Sequence, residues 1–193
     1  KEFRATSTTV NQLVDAAGKL SQNRKGALIV VDLGSDLRPE DFLYSGIKIE
    51  AKLSTDLLIN LFATDTPLHD GAVLVKGNKI ISAGVILPLS RQGISRYGTR
   101  HLAALGITER FDRCICIVVS EETGTLSLAN QGKLERPITS SRLQELLIKL
   151  VGNQNTSGTP KSSSNKTNSY QKTNTNDTIT VEKKLDKQNT IQD

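Results

Sequence analysis

The 193-residue chain has no Met and no Trp, two Cys, and an aromatic content of four Phe and three Tyr. With Lys at position 1 and no Met anywhere, it is expected to be a fragment cut from a longer protein. It has no run of about 18 apolar residues, so no membrane-spanning helix is expected within it. A signal peptide is also missing from its start. Cys114 and Cys116 lie two apart in Arg-Cys-Ile-Cys-Ile-Val-Val. On a strand that spacing puts both thiols on one face, too far apart to bridge easily. No further ligands stand at zinc spacing, so buried free thiols in a reducing compartment are expected. The sequence also lacks a Walker A loop, a G-x-G-x-x-G turn and a serine elbow, which removes the common nucleotide-fold and hydrolase signatures.

Apolar residues are 36% of the chain, and the shortage is uneven. From Gly152 to Asp193 the sizeable apolar side chains are Tyr170, Ile179, Val181, Leu185 and Ile191, amid Asn, Thr, Ser, Lys and Gln. Such a stretch cannot bury enough apolar surface to offset its chain entropy. The expected organisation is an N-terminal helix over 1–24, a folded domain over 25–151 and a disordered polar tail over 152–193. The net charge is +5, and the tail holds six Lys against four acidic residues. The remaining +3 suits a phosphate-bearing ligand and is too weak to argue for a protein that coats nucleic acid.

Apolar spacing predicts a helix over 6–20, weakened near its end by Gly18, and a buried strand over 27–31. Residues 32–45 read as loop with a short helix, and 47–51 as an alternating strand. Ser54 reads as the N-cap of a helix carrying Leu57, Leu58, Leu61 and Phe62. Runs 72–75 and 79–87 flank Lys76-Gly77-Asn78 as a hairpin, with Pro88 ending the second strand. A mobile loop over 89–98 and a helix from Thr99 to about Gly106 follow. Then come a fully apolar strand over 114–119, a second hairpin (125–129 and 132–134) and a final helix capped by Thr139. Hairpins interleaved with strand–helix steps indicate α/β architecture: a mixed central sheet with helices on its faces.

Three polar segments sit where such elements begin or end. In Pro67-Leu68-His69-Asp70-Gly71-Ala72, a carboxylate at a strand mouth can hold a divalent metal or take a proton from a hydroxyl. Small neighbours there let a ligand approach the backbone. Read alone, the segment equally describes a tight Asp-Gly turn. In Gly98-Thr99-Arg100-His101, Thr99 fits an N-cap and puts a cation in the first helical turn. That is unfavourable against the helix dipole unless an anion sits there. Ala103, Ala104 and Gly106 keep the helix slim; the bland alternative is a capped surface helix. Ser120-Glu121-Glu122-Thr123-Gly124 offers carboxylates and hydroxyls after a buried strand, or simply a polar turn.

Asp70-Gly71-Ala72 together with Arg100-His101-x-Ala103-Ala104 resembles the signatures of the diadenylate cyclase domain family. Gly26–Val30, Leu57–Asn60, Thr66–Ala72, Leu87–Ser90, Gly98–His101 and Val118–Gly124 match in order over about 20–151. The resemblance is nearest to the membrane-anchored, CdaA-type branch, in which transmembrane helices precede this domain. It implies a seven-stranded mixed sheet in a cytoplasmic domain of a cell-membrane protein, whose anchor would lie upstream of Lys1. It also implies a reaction: two ATP molecules are joined into cyclic di-AMP with release of two pyrophosphates, across a homodimer whose sites face each other.

By the same resemblance Asp70, with Gly71 and Ala72, stands near the attacking hydroxyl, and Arg100 and His101 belong to the catalytic set. Thr99, Arg100 and His101 hold ATP phosphates, Ser120 and Glu121 are further ATP-binding residues, and the Leu87 backbone meets adenine. His69, Asp70 and Glu122 are the expected ligands of Mg2+ or Mn2+. Relatives often carry an aromatic where this chain has Ile86, a departure that bears on base affinity. The rival reading is a catalytically silent nucleotide-binding regulatory domain.

Overall fold

The structure, a computed structural model, describes residues 7–92 and 95–152. The expected tail beyond Gly152 lies outside the described residues, as do 93 and 94 of the loop expected over 89–98. In chain order the elements are α1 (Ser7–Gln22), β1 (Ala27–Asp32), a 3₁₀ turn (Pro39–Asp41), β2 (Ile47–Lys52), α2 (Thr55–Leu61) and a second 3₁₀ turn (Pro67–His69). They continue with β3 (Ala72–Lys76), β4 (Lys79–Val85), α3 (Thr99–Arg110), β5 (Cys114–Val119), β6 (Leu126–Asn130), β7 (Lys133–Ile138) and α4 (Ser140–Gly152). The seven strands form one mixed sheet, as the resemblance implied, in the order β2-β4-β3-β1-β5-β6-β7. Strands β1 and β3 run parallel, and every other pairing is antiparallel.

The central strands β1 and β5 are buried along their whole length, which fits their unbroken apolar runs. Alternate side chains divide between two cores. Ile29, Val31, Ile115 and Ile117 pack with Leu13, Leu20, Phe62, Leu143 and Leu147 from α1, α4 and the end of α2. Leu28, Val30, Cys114, Cys116 and Val118 pack with Ala103, Ala104 and Ile107 of α3 on the other face. Both cysteines are therefore free, buried and on one face.

Local signals explain the element ends. The Ser54 hydroxyl accepts the Leu57 N–H at 3.2 Å, and the Thr139 hydroxyl accepts the Arg142 N–H at 3.1 Å, satisfying donors that helix starts leave free. Hairpin β6–β7 turns through Gln131 and Gly132, both at positive φ (48° and 68°), the pair of angles a tight type I′ turn requires.

Several boundaries differ from the sequence expectation, among them β7, which runs on to Ile138. Helix α1 continues through Gly18 to Gln22, because the bare α-carbon faces α4, where an added Cβ would stand 3.3 Å from the Ser140 hydroxyl. In α3 the N-cap is Gly98 and Thr99 is the first helical residue, with no side-chain cap. The same helix runs on to Arg110, with Gly106 in its interior. A Cβ at Gly106 would lie 2.1 Å from the Pro88 carbonyl oxygen, so this glycine answers a close approach and does not end the helix. Strand β4 ends at Val85, beyond the last β2 partner pair, Ile47 with Ala83. Ile86 instead pairs in an isolated bridge with Tyr44.

The stretch after Pro88 is also anchored. Ser90 is buried, donates its hydroxyl to Glu109 at 2.6 Å and its N–H to the Leu102 carbonyl at 2.9 Å.

Candidate active site

The strand register gathers the polar segments at one end of the sheet. Because β1 and β3 are parallel, their starts, just after Gly26 and Gly71, lie side by side. Antiparallel pairing of Ala27 with Val119 brings the end of β5 to the same edge, and pairing of Ala72 with Val85 brings the end of β4. Helix α3 packs over β5 and β1 and starts beside that edge. Segments far apart in sequence thus meet around one cleft.

Two adjoining cavities form the cleft. One, of about 390 Å³, is lined by His69, Asp70 and Gly71 on one side and by Leu28, Ile86, Leu87, Leu89 and Ala103 on the other. The second, of about 680 Å³, is lined by Gly98–His101 of the α3 start, Ser120–Thr123 of the turn after β5, and Arg96 and Arg136. Thr99, Arg100 and Glu121 belong to both walls. One cavity offers an apolar slot beside a carboxylate; the other offers cations and helix N–H groups suited to an anion.

Asp70 is held at its mouth by backbone geometry. It follows the Pro67–His69 turn and precedes Gly71, whose φ is 151°. A Cβ at Gly71 would come within 2.7 Å of the Gly84 carbonyl carbon, so the two chains touch backbone to backbone. His69 turns its ring to the Thr66 carbonyl through Nδ1. Ala72 is fully buried in β3 and packs in the α3-side core, away from the cavity wall.

Arg100 in the first turn of α3 is answered by Glu121, with Nη1 donating to Oε2 at 3.0 Å. The guanidinium passes over Gly26, where a Cβ would stand 2.6 Å from Nη1 and 3.0 Å from the Glu121 Cβ. Gly26 is therefore the space through which Arg100 reaches the cleft.

His101 lines the second cavity but is only 6% exposed, and its Nε2 meets the Ser127 hydroxyl at 3.2 Å. Burial, aided by the charge of Arg136, pushes its pKa below the ordinary 6.5. At neutral pH the ring is uncharged, so it can serve an anion as a hydrogen-bonding group and not as a cation.

The expected metal set does not converge. Among the described residues no three of His, Cys, Asp and Glu stand close enough to form a metal cage. His69 and Asp70 line the first cavity, whereas Glu122 lines only the second. The oxygen donors still fit a divalent ion taken up with a substrate, since Mg2+ is commonly held by one or two carboxylates plus phosphate oxygens. Asp70 and Glu121, which share the first cavity wall, are the carboxylates available for this.

Of the residues that sequence reasoning singled out, His69, Asp70, Gly71 and Leu87 line the first cavity, His101, Ser120 and Glu122 the second, and Thr99, Arg100 and Glu121 both. That reasoning missed the roles of Gly26, Leu89, Arg96 and Arg136. A Gly immediately before a buried strand and an Arg before Pro in a terminal strand were the signals on offer.

Fold and cleft together define an α/β domain with a site for a phosphate-bearing ligand. Comparison with known proteins narrows this. The family model described as "DisA bacterial checkpoint controller nucleotide-binding", the DAC domain, matches residues 14–134, and the chain belongs to that family. It is 48% identical over 132 residues to a diadenylate cyclase of Listeria monocytogenes serotype 1/2a, covering 67% of this chain and 47% of that protein. It is 42% identical over 145 residues to the cyclic di-AMP synthase CdaA of Bacillus subtilis (strain 168), covering 74% and 52%. Among solved structures, a DacA variant from Staphylococcus aureus superposes with a TM-score of 0.67 at 38% identity, covering 74% of this chain and 94% of that one. The chain spans about half the length of the first two relatives.

Proposed function

We propose that this chain is the catalytic domain of a diadenylate cyclase, condensing two ATP molecules into cyclic di-AMP and two pyrophosphates. The observation that carries the reading is the paired cleft. An apolar slot with a carboxylate at its mouth adjoins a cationic cavity at a helix start, the complement of an adenosine joined to a phosphate chain. The names of the relatives point the same way.

In this reading adenine lies against Ile86 and Leu89 and meets the Leu87 backbone, with Gly71 leaving room for the ribose. The Thr99 hydroxyl, the N–H groups of the α3 start and Arg100 hold the phosphates, with Ser120 on the facing turn. Arg100 exchanges its Glu121 partner for phosphate, and the released carboxylate, with Asp70, would hold the divalent ion that accompanies ATP. A bound Mg2+ or Mn2+ supplies neutralisation of charge building on the phosphates.

The 3′-oxygen of one ATP forms a bond to the α-phosphorus of the other while the bond from that phosphorus to the pyrophosphate breaks. The hydroxyl proton passes to the Asp70 carboxylate. Each domain performs the same step on its partner's nucleotide, so two sites face each other in a homodimer. Such chemistry asks the protein for positioning and charge neutralisation and little covalent participation.

No helix among the described residues is long and apolar enough to cross a membrane. Likeness to a solved structure described as a hypothetical membrane spanning protein from Bacillus cereus supports a domain of a membrane-anchored protein. The test is direct: incubate the chain with ATP and Mn2+ and identify the products by mass spectrometry. Cyclic di-AMP with pyrophosphate is the expected result. Tight ATP binding without product would favour the silent regulatory domain.

A further inference from the structure

Three arginines line the larger cavity, and they are not equivalent. Arg100 is paired with Glu121. Neither Arg96 nor Arg136 forms an ion pair with a carboxylate among the described residues. Both are exposed to solvent, which leaves each guanidinium free to take a phosphate bidentately.

The backbone delivers Arg136 there by an irregularity. Strands β6 and β7 pair Leu128 with Glu135 and Leu126 with Ile138, and the register shifts between them. Arg136 and Pro137 together therefore oppose the single residue Ser127. This is a bulge, the device that re-aims a side chain beside a site. Ser127 is the partner of His101, so the bulge sits directly behind the start of α3. The Arg136 guanidinium is steadied over the Tyr97 ring at 5.7 Å from its centre. Tyr97 in turn lies 6.2 Å from the His101 ring. Arg136 also falls two residues beyond the stretch that the family model matches.

Taking the cyclase reading as its basis, we infer that Arg136, seconded by Arg96, binds the β- and γ-phosphates of ATP and holds the pyrophosphate as it leaves. Arg100 and the α3 N–H groups then serve the α-phosphate, nearer the Asp70 cavity that they share. The division matches the geometry. Arg100 belongs to both cavities, whereas Arg96 and Arg136 belong only to the one remote from the base slot. Burial lowers the His101 pKa, so the positive charge of this cavity rests on its arginines.

The experiment is a titration of the full 193-residue chain with inorganic pyrophosphate and, separately, with AMP, followed by calorimetry. Arg136→Gln should weaken pyrophosphate roughly tenfold or more and leave AMP unchanged, because one charge-assisted contact to the distal phosphates is lost. Arg136→Lys should recover part of the loss, and Arg96→Gln should show a smaller effect of the same selectivity. Melting temperature is measured for each variant; if Arg136→Gln does not fold, Arg136→Lys and Arg96→Gln carry the test. A parallel fall in AMP and pyrophosphate affinity would mean that Arg136 acts on the whole site through Tyr97 and His101, and would overturn the assignment. Unchanged pyrophosphate binding in both positions would overturn it too. These titrations need no turnover. A wild-type chain that makes no cyclic di-AMP would sink the cyclase reading alone, while the pyrophosphate result still judges Arg136.

Discussion

The two faces of the sheet are built from different side chains. On the face covered by α1, α2 and α4, the buried set is mainly Leu, Ile and Val, with Phe62 and four alanines among them. On the α3 face about half of the smaller buried set is small, Ala72, Ala103, Ala104, Ala129, Cys114 and Cys116, and the rest is Leu, Val and Ile. Large interdigitating side chains maximise the apolar area removed from water. Small ones give up some of that area so that a helix can lie close to the strands, and Gly106 against the Pro88 carbonyl is the extreme case. One face supplies stability. The other sets the start of α3 at the strand ends where the cleft lies. Damage to the first should therefore appear in unfolding, and damage to the second in ligand handling.

The largest effect should come from the functional face. Asp70→Asn should lower cyclic di-AMP formation on the order of 10²- to 10⁴-fold, since it removes the carboxylate at the mouth of β3. Its melting temperature should stay near that of the wild type. Turnover close to wild type would remove Asp70 from the chemistry.

Phe62→Ala is the matching change on the other face. Phe62 is fully buried, and its truncation should cost about 3–5 kcal/mol in urea unfolding. The protein that remains folded should bind ATP normally; a variant with normal stability would show that the bulky core is not where the stability resides.

Gly26→Ala tests the boundary between the faces. The added methyl collides with the flexible end of Arg100 and not with backbone. Arg100 should swing away, so AMP affinity measured by calorimetry should fall about tenfold or more, the range one charged hydrogen bond contributes (about 1.5–3 kcal/mol). The unfolding midpoint should move little.

The smallest effect concerns His101. Its pKa is lowered in the folded chain, whereas the unfolded chain titrates near 6.5. Below that pH the unfolded state binds more protons, so this contribution to stability is complete above about pH 6.5 and is lost as pH falls through the folded value. His101→Gln should flatten that part of the stability–pH curve. An identical slope in the variant would assign the acid sensitivity to other groups.

The same contrast explains which features were legible in the sequence. Strands β1 and β5 announce themselves because burial on both faces demands continuous apolar runs. Ser54 and Thr139 were readable as caps because a cap depends on residues three positions away. The motifs around Asp70 and Arg100 could be placed at element ends for the same local reason.

What escaped depends on distant neighbours. Gly106 looks like a helix stop until Pro88 is known to press against it. Gly26 looks like a strand boundary until Arg100, 74 positions away, is seen to cross it. Arg136 gains meaning only through a bulge defined by pairing with β6. Glu122 and His69 each looked like a ligand, and only the register shows that they line separate cavities.

The buried thiols of β5 have a practical consequence. Cys114 and Cys116 are the chain's two cysteines, both lie in the central strand, and burial pushes the Cys116 thiol up from its usual pKa. A thiol in that state does not react until the strand is exposed. The protein thus carries a native clock for its own opening. Under a large excess of an alkylating reagent, the labelling rate should report how often the middle of the sheet comes apart, without any engineered probe. Saturating ATP should slow that clock if the ligand ties the strand ends together.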